Sequence, residues 1–231
     1  MIRSRLTPLA LVLPLLCLQT VAAEESVVPV ERAPFHVPAF KNEYVTMLNV
    51  YIPPGRTASY HKHSIDFVSC WVEAAQIRVQ VLGLDPTEPK VPSGAIVYNG
   101  YTKKPIVHQV SNIDSKPFHV VGFEIMYPDA GRFSPSTRSD VPDYKVVLDN
   151  ERVRGWRLVL EPGQSVVAIT QKAPGVRIVL GGGSIVESGP EHPDQDMILK
   201  LGDFIWQDAD ATRTVRNNGT TRVEFVEFEL R

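Results

Sequence analysis

Apolar residues fall in short runs broken by glycine, proline and polar pairs, and no stretch sustains helical spacing with caps at its ends. Residues 45–52, Val-Thr-Met-Leu-Asn-Val-Tyr-Ile, read as a strand stopped by Pro53-Pro54-Gly55. Residues 68–81 and 120–126 are rich in β-branched and aromatic side chains and read the same way. So do residues 156–160, 176–180, 198–201, 204–206 and 223–230. Many short strands with turn signals between them predict an all-β chain built of sandwiches or barrels.

The pattern repeats. Asn42-Glu43-Tyr44-Val45, continued to Pro54-Gly55, aligns without a gap onto Asn150-Glu151-Arg152-Val153, continued to Pro162-Gly163, at an offset of 108. Val110-Ser111-Asn112 and Phe123-Glu124-Ile125 match Val215-Arg216-Asn217 and Phe228-Glu229-Leu230 at an offset of 105. A period near a hundred residues indicates tandem domains, because solenoid repeats are far shorter. The division expected is 41–128 and 144–231, joined by a linker over 129–143 that contains proline and serine and lacks apolar periodicity. Residues 24–40 form an N-terminal extension, either an added edge strand or an arm.

The start of the chain sets the expected compartment. Arg3 and Arg5 precede an apolar run over 9–18, then Val21-Ala22-Ala23 and Glu24-Glu25, which together read as a secretory signal peptide over 1–23. The run is too short to span a bilayer and Pro14 interrupts it. The expectation is a periplasmic or secreted chain with no membrane insertion after cleavage. Cleavage after Ala23 removes two of the 24 basic residues and none of the 26 acidic ones, giving a formal charge of −4 over 231 − 23 = 208 residues. A mildly acidic surface argues against nucleic acid or anionic lipid as the main partner. Only Cys70 survives processing, so an intramolecular disulfide is excluded.

Candidate chemistry centres on His61-Lys62-His63. Side chains alternate along a strand, so two histidines at i and i+2 project together and can reach one ion at about 2.0–2.2 Å. Taken alone, the tripeptide fits equally a surface pair on an edge strand. Gly55-Arg-Thr-Ala-Ser-Tyr-His61-Lys-His63 resembles the start of the first motif of the cupin superfamily, and His108-Gln-Val-Ser-Asn112 resembles the end of its second. The resemblance covers nearly the whole chain after residue 23. It implies two tandem double-stranded β-helix (jelly-roll) barrels, a bicupin, with one metal in the mouth of the first on His61, His63 and His108.

The resemblance has departures. The glutamate usual in the family four or five residues after the second histidine is replaced by Phe67 and Val68. Asp66 stands one residue early, where ligation and a structural pairing are both open. Pro105 occupies a glycine position, and the loop over 98–104 is enlarged. In the second copy Ile169, Gln171 and Arg213 stand where the first has His61, His63 and His108. An arginine cannot give up its proton to ligate a metal, so the metal ligands are lost there.

Three neutral imidazoles leave a divalent transition metal (Fe, Mn, Zn, Ni or Cu) its full charge and open coordination positions. That suits an anionic chelating substrate, water or dioxygen. Two readings follow. One is a metal-dependent enzyme with dioxygenase-like or Lewis-acid chemistry on a small oxygenated or carboxylated molecule. The other is a non-catalytic small-molecule or metal-binding protein. Tyr60, Asp66, Tyr98 and His119 are the acid/base candidates whose placement beside the ion would favour the enzyme, and a site ringed by apolar side chains would favour binding. His119 shares a strand face with Val121, Phe123 and Ile125, which turns it either into the barrel or toward solvent at a strand end. His36 and His192 carry no assigned role, and Cys70 reads as packing. A second copy of the chain, as a homodimer, remains open as a partner.

Overall fold

The computed structural model describes residues 26–190 and 192–231, so the expected signal segment lies outside the described residues. The chain forms four antiparallel-rich sheets, two from each half. In the first half a five-stranded sheet has the order β2-β3-β9-β5-β7. Its strands are β2 (His36–Lys41), β3 (Val45–Ile52), β9 (Phe118–Ile125), β5 (Phe67–Glu73) and β7 (Ile96–Asn99). A four-stranded sheet, order β1-β4-β8-β6, comprises β1 (Val28–Pro29), β4 (Thr57–His63), β8 (Ile106–Asn112) and β6 (Ile77–Val81). The second half repeats the plan. One sheet is β10 (Lys145–Asp149), β11 (Val153–Leu160), β18 (Val223–Leu230), β13 (Gly175–Gly181) and β16 (Phe204–Gln207). The other is β12 (Ile169–Thr170), β17 (Thr212–Asn217), β14 (Gly183–Gly189) and β15 (His192–Leu199). No strand pairing crosses between halves among the described residues.

The repeated motifs have repeated jobs. β3 and β11 span equivalent residues at an offset of 108, and β9 and β18 at 105. The Asn112 side-chain amide donates to the carbonyls of Ile52 (2.8 Å) and Lys116 (2.9 Å). Asn217 does the same to Leu160 (2.9 Å) and Thr221 (2.8 Å). Each asparagine's carbonyl accepts from the amide of Gly55 or Gly163, both at positive φ, where a side chain would be strained. These bonds pin the corner where the chain passes from one sheet to the other.

Three apolar clusters hold the molecule. One lies inside the first half (Leu48, Val50, Ile52, Phe67, Phe118 and Val120 among others) and one inside the second (Trp156, Leu158, Leu160, Val179, Val215 and Phe225 among others). The third is shared: Val45, Met47, Val68, Cys70, Val121 and Phe123 pack on Val153, Val176, Ile178, Val226 and Phe228. Phe123 and Phe228, equivalent positions of the two copies, meet edge-on at 5.3 Å. The five-stranded sheets of the two halves are therefore pressed face to face. Residues 68–81, read as one run, break at Ala74–Gln76 into β5 and β6. Strand β14 went unread and β15 was caught only at its end, the run read over 198–201 overlapping it at 198–199, because their sequence is glycine-rich or polar and much of β15 is exposed.

The segment over 129–143 joins the halves and also sends side chains into the second one. Arg138 is 5% exposed, with φ of 50°, and its guanidinium reaches Glu227 (2.5 Å) and Glu229 (2.9 Å) while lying over Trp156 (4.2 Å) and Tyr144 (4.5 Å). Arg177 holds Glu227 (2.7 Å) and Glu187 (2.8 Å), and Arg213 holds Glu227 (3.1 Å) and Gln171 (2.8 Å). Three arginines thus face three glutamates inside the second half. Burial alone would raise the Glu227 carboxyl, but the three guanidiniums hold it well below its usual range. A short-range sequence pattern cannot show that an irregular segment supplies one member of a buried charge network.

Glu227→Ala leaves three buried guanidiniums short of a partner. We expect it to cost about 3–5 kcal/mol of stability, read as a large drop in melting temperature. Arg78→Ala, which breaks the exposed Arg78–Glu88 pair, should leave the transition in place. Equal effects from the two changes would mean that the network is not what stabilises the second half.

Candidate metal centre

β4 and β8 lie side by side, with His61 directly opposite His108. A bulge in β4 between Ala58 and His61 adds one residue, so Ala58, His61 and His63 all lie buried along the strand, while Lys62 is exposed. The three imidazoles converge: ring centroids lie 5.1 Å apart for His61–His63, 4.6 Å for His61–His108 and 5.1 Å for His63–His108. One ligand nitrogen from each falls within 4.8 Å of the others. His61 is fully buried and its Nδ1–H donates to the Ser59 carbonyl at 2.8 Å, which leaves Nε2 as the lone-pair nitrogen. That Nε2, and Nδ1 of His63, are buried without any hydrogen-bond partner. An unpaired buried polar atom costs about 1–3 kcal/mol, so the arrangement calls for an electrophile.

The triad opens into a cavity of about 310 Å³. Its walls are Val50, Ile52, Phe67, Trp71, Ile77, Val79, Val91, Val97, Ile106, Val110, Phe118 and Val120, with Ser69, Asn99, Tyr101 and His36 as the polar members beside the triad. Burial depresses the basicity of all three imidazoles; the charges of neighbouring histidines add to this at His63 and His108, the latter falling to about 3. The imidazoles are therefore neutral at ordinary pH, the form that ligates.

The four acid/base candidates lie elsewhere. Tyr60 sits at the β4 bulge, buried but outside the cavity wall. The Asp66 carboxylate accepts from the Tyr98 hydroxyl (2.9 Å) and the Thr102 amide (2.9 Å), and meets Arg152 of the second half at 3.2 Å. Burial opposes its ionisation, but the Thr102 and Tyr98 hydrogen bonds and the Arg152 charge hold its pKa below the usual range. Tyr98 is thereby committed too, and burial together with its bond to Asp66 raises its hydroxyl. So Asp66 ties the loop over 98–104 to the other half and does not face the triad. His119 bonds Asn49 at 2.8 Å, packs edge-on to Tyr51 at 5.7 Å and lies against Gly202, so it sits near the other half and outside the cavity.

Two cavity residues were missed. Tyr101, on the enlarged loop, lies 4.9 Å from His63, and burial raises its hydroxyl to about 12. His36, on the N-terminal extension, lies 4.5 Å from His61. Both are distant in sequence from the histidine motifs, and only the enlargement of the loop hinted at Tyr101. In the second half, Gln171 and Arg213 at the triad positions bond each other, and Arg213 is tied to Glu227, as described above.

No family model and no curated protein sequence matches the chain. Solved structures do. AerE from Microcystis aeruginosa superposes with a TM-score of 0.59 at 10% identity, covering 86% of this chain and 98% of that one. A variant of salicylate 1,2-dioxygenase from Pseudoaminobacter salicylatoxidans in complex with gentisate superposes with a TM-score of 0.57 at 15% identity, covering 87% and 76%. At such identities the likeness establishes the fold alone. The chain has the fold of the cupin superfamily, all-β and jelly-roll in both halves.

Proposed function

We propose that this chain is an exported metal-dependent cupin enzyme that holds one divalent transition metal on His61, His63 and His108 and acts on a small molecule with an oxygen or carboxylate head and an apolar body. The observation that carries the reading is the convergence of three neutral imidazoles, two with unpartnered buried nitrogens, on one apolar cavity. Metal–nitrogen bonds of about 2.0–2.1 Å need nitrogen pairs roughly 3–3.5 Å apart, so binding would draw the rings slightly together. A metal held there by neutral ligands would supply a Lewis acid with positions open to substrate and dioxygen. The ligands of the second half are replaced by Gln171 and Arg213, which supports a single ion per chain. Export rests on residues 1–23.

The remaining residues bind and exclude. The Ser59 carbonyl fixes the tautomer of His61, and Tyr101 and Phe67 flank His63. The cavity volume is about twice that of a cavity of about 150 Å³ known to hold benzene, room for one ring beside the ion. A dioxygenase of the same fold that holds gentisate supports a small ring-sized ligand. The apolar walls, and the placement of Tyr60, Asp66, Tyr98 and His119 outside them, favour a second reading in which the site binds a ligand without turning it over. Oxygen uptake by iron-loaded protein, screened against small hydroxylated and carboxylated aromatics, separates the two; binding without uptake supports the second.

Protein isolated from its native exported fraction should carry one ion per chain. His61→Ala, His63→Ala or His108→Ala should abolish it while circular dichroism stays unchanged, because the core is apolar and does not depend on the metal. Gln171→Ala should leave metal content as it was. Two ions per chain, or equal loss from both halves, would refute the single-site reading.

A pH dependence follows for the metal-free chain. The folded pKa values of His108 (about 3) and His36 (about 4) lie below the ordinary histidine value of 6.5. Below that value the unfolded chain takes up protons first, so stability falls as pH drops from about 6.5 toward 3–4, by up to about 1.4 kcal/mol per pH unit for each such group. Denaturant titrations from pH 7 to 4 would show this slope, and replacing His36 with an apolar residue should reduce it. A flat profile would contradict the burial of neutral imidazoles.

A further inference from the structure

The extension ahead of the first barrel places a fourth imidazole in the cavity. β1 pairs in parallel with β4, setting Val28 opposite His61, and Val30 and Ala33 are buried. The chain then turns at Phe35, whose φ of 68° is unusual for an aromatic residue. The Phe35 carbonyl accepts from the Tyr51 amide at 3.0 Å, and the Arg56 guanidinium lies 5.8 Å over its ring. Such a conformation persists only where the surroundings enforce it. The residue it delivers is His36, which opens β2 opposite Val50, itself part of the cavity wall.

His36 Nδ1 lies 3.0 Å from the Pro34 carbonyl, so it carries the proton and donates. Nε2 is left with a lone pair and makes no hydrogen bond among the described residues. The ring is 4.5 Å from that of His61, yet His36 does not join the set of nitrogens lying within 4.8 Å of one another. It therefore stands beside the place of the ion without being a fourth ligand. No carboxylate, lysine or arginine lines the cavity among the described residues. An acceptor fixed against His61, in a wall whose other polar members besides the triad are the uncharged Ser69, Asn99 and Tyr101, selects for a donor.

We propose that His36 determines specificity: its Nε2 accepts a hydrogen bond from a hydroxyl of the bound molecule, next to the oxygen that faces the metal. The substrate class is then a small apolar or aromatic molecule with an anionic oxygen and a neighbouring O–H. This rests on the metal site proposed above. The test is calorimetric titration of the zinc-loaded full chain with 1,2-dihydroxybenzene and with 2-methoxyphenol, which share a ring and a phenolic oxygen and differ in the second O–H. The same pair is run on His36→Phe, on His36→Leu in case the first does not fold, and on His36→Gln, with zinc content measured throughout.

The wild-type chain should prefer the dihydroxy compound. His36→Phe should reduce that preference about tenfold or more while keeping zinc and the affinity for 2-methoxyphenol, and His36→Gln should restore part of it. The same preference in wild-type and His36→Phe protein overturns the role of His36 and leaves the metal site standing. Zinc held by the wild-type chain with no binding of the dihydroxy compound overturns the substrate class. Failure of the wild-type chain to hold zinc overturns the metal reading and this proposal with it.

Discussion

The contact between the two five-stranded sheets covers the central strands of both on two faces and leaves only the edge strands β2 and β10 largely exposed. Each sheet lines its own barrel on one face and packs on its counterpart on the other, with Phe123 against Phe228 at the join. Strands buried on both faces must be apolar at successive positions, and β3 and β18 show it in their unbroken runs of buried residues. Any polar group on such a strand must find a partner or lose its hydration without return. Glu227 and Glu229 on β18 meet this demand with arginines, one of them drawn from the segment between the halves. Asp66, just ahead of β5, meets it through Tyr98, Thr102 and Arg152. Asp66 and Tyr98 look like chemistry in a sequence because they are acidic or phenolic near a histidine motif; instead they tie the loop over 98–104 to the second half.

The same barrel plan has been filled in two ways. In the first half the interior stays partly empty, and neutral imidazoles are its chief polar groups. In the second, Arg138, Arg177 and Arg213 with Glu187, Glu227 and Glu229 occupy the equivalent region, and their formal charges cancel. A balanced buried network does not attract an anion, so Arg213 is no substitute binding site despite standing in the slot of His108. The two interiors differ in their demand: one holds lone pairs without partners, the other has nearly every charge matched.

Legibility followed burial. The runs at Val45–Ile52 and Val223–Leu230 could be read because most of their residues are buried on both faces of the strand. β14 could not, and β15 only at its last two residues, because Gly183–Gly189 carries little apolar signal and Asp194, Gln195 and Asp196 lie exposed on an outer strand. The triad was legible because two of its members sit at i and i+2 on one strand, a spacing with a geometric meaning. Tyr101 and His36 were not, since a loop and an extension reach the cavity by routes that no local period encodes. Arg138 was hidden for the same reason, and its segment was read as a linker because proline and serine mark irregular backbone without marking exposure.

The extension is therefore part of the centre's physical chemistry and not an appendage to it. Val30 joins the apolar cluster of the first half, and β1 lies along the strand that carries His61 and His63. The depressed basicity of the triad comes first from burial, and part of that burial is supplied by this covering strand and by the His36 ring packed on His61. Were the extension to lift away, water would reach the His61 side of the cavity and the imidazoles would move back toward ordinary basicity. Docking of residues 28–36 and the neutrality of the three histidines are in this way linked through a shared dry surface.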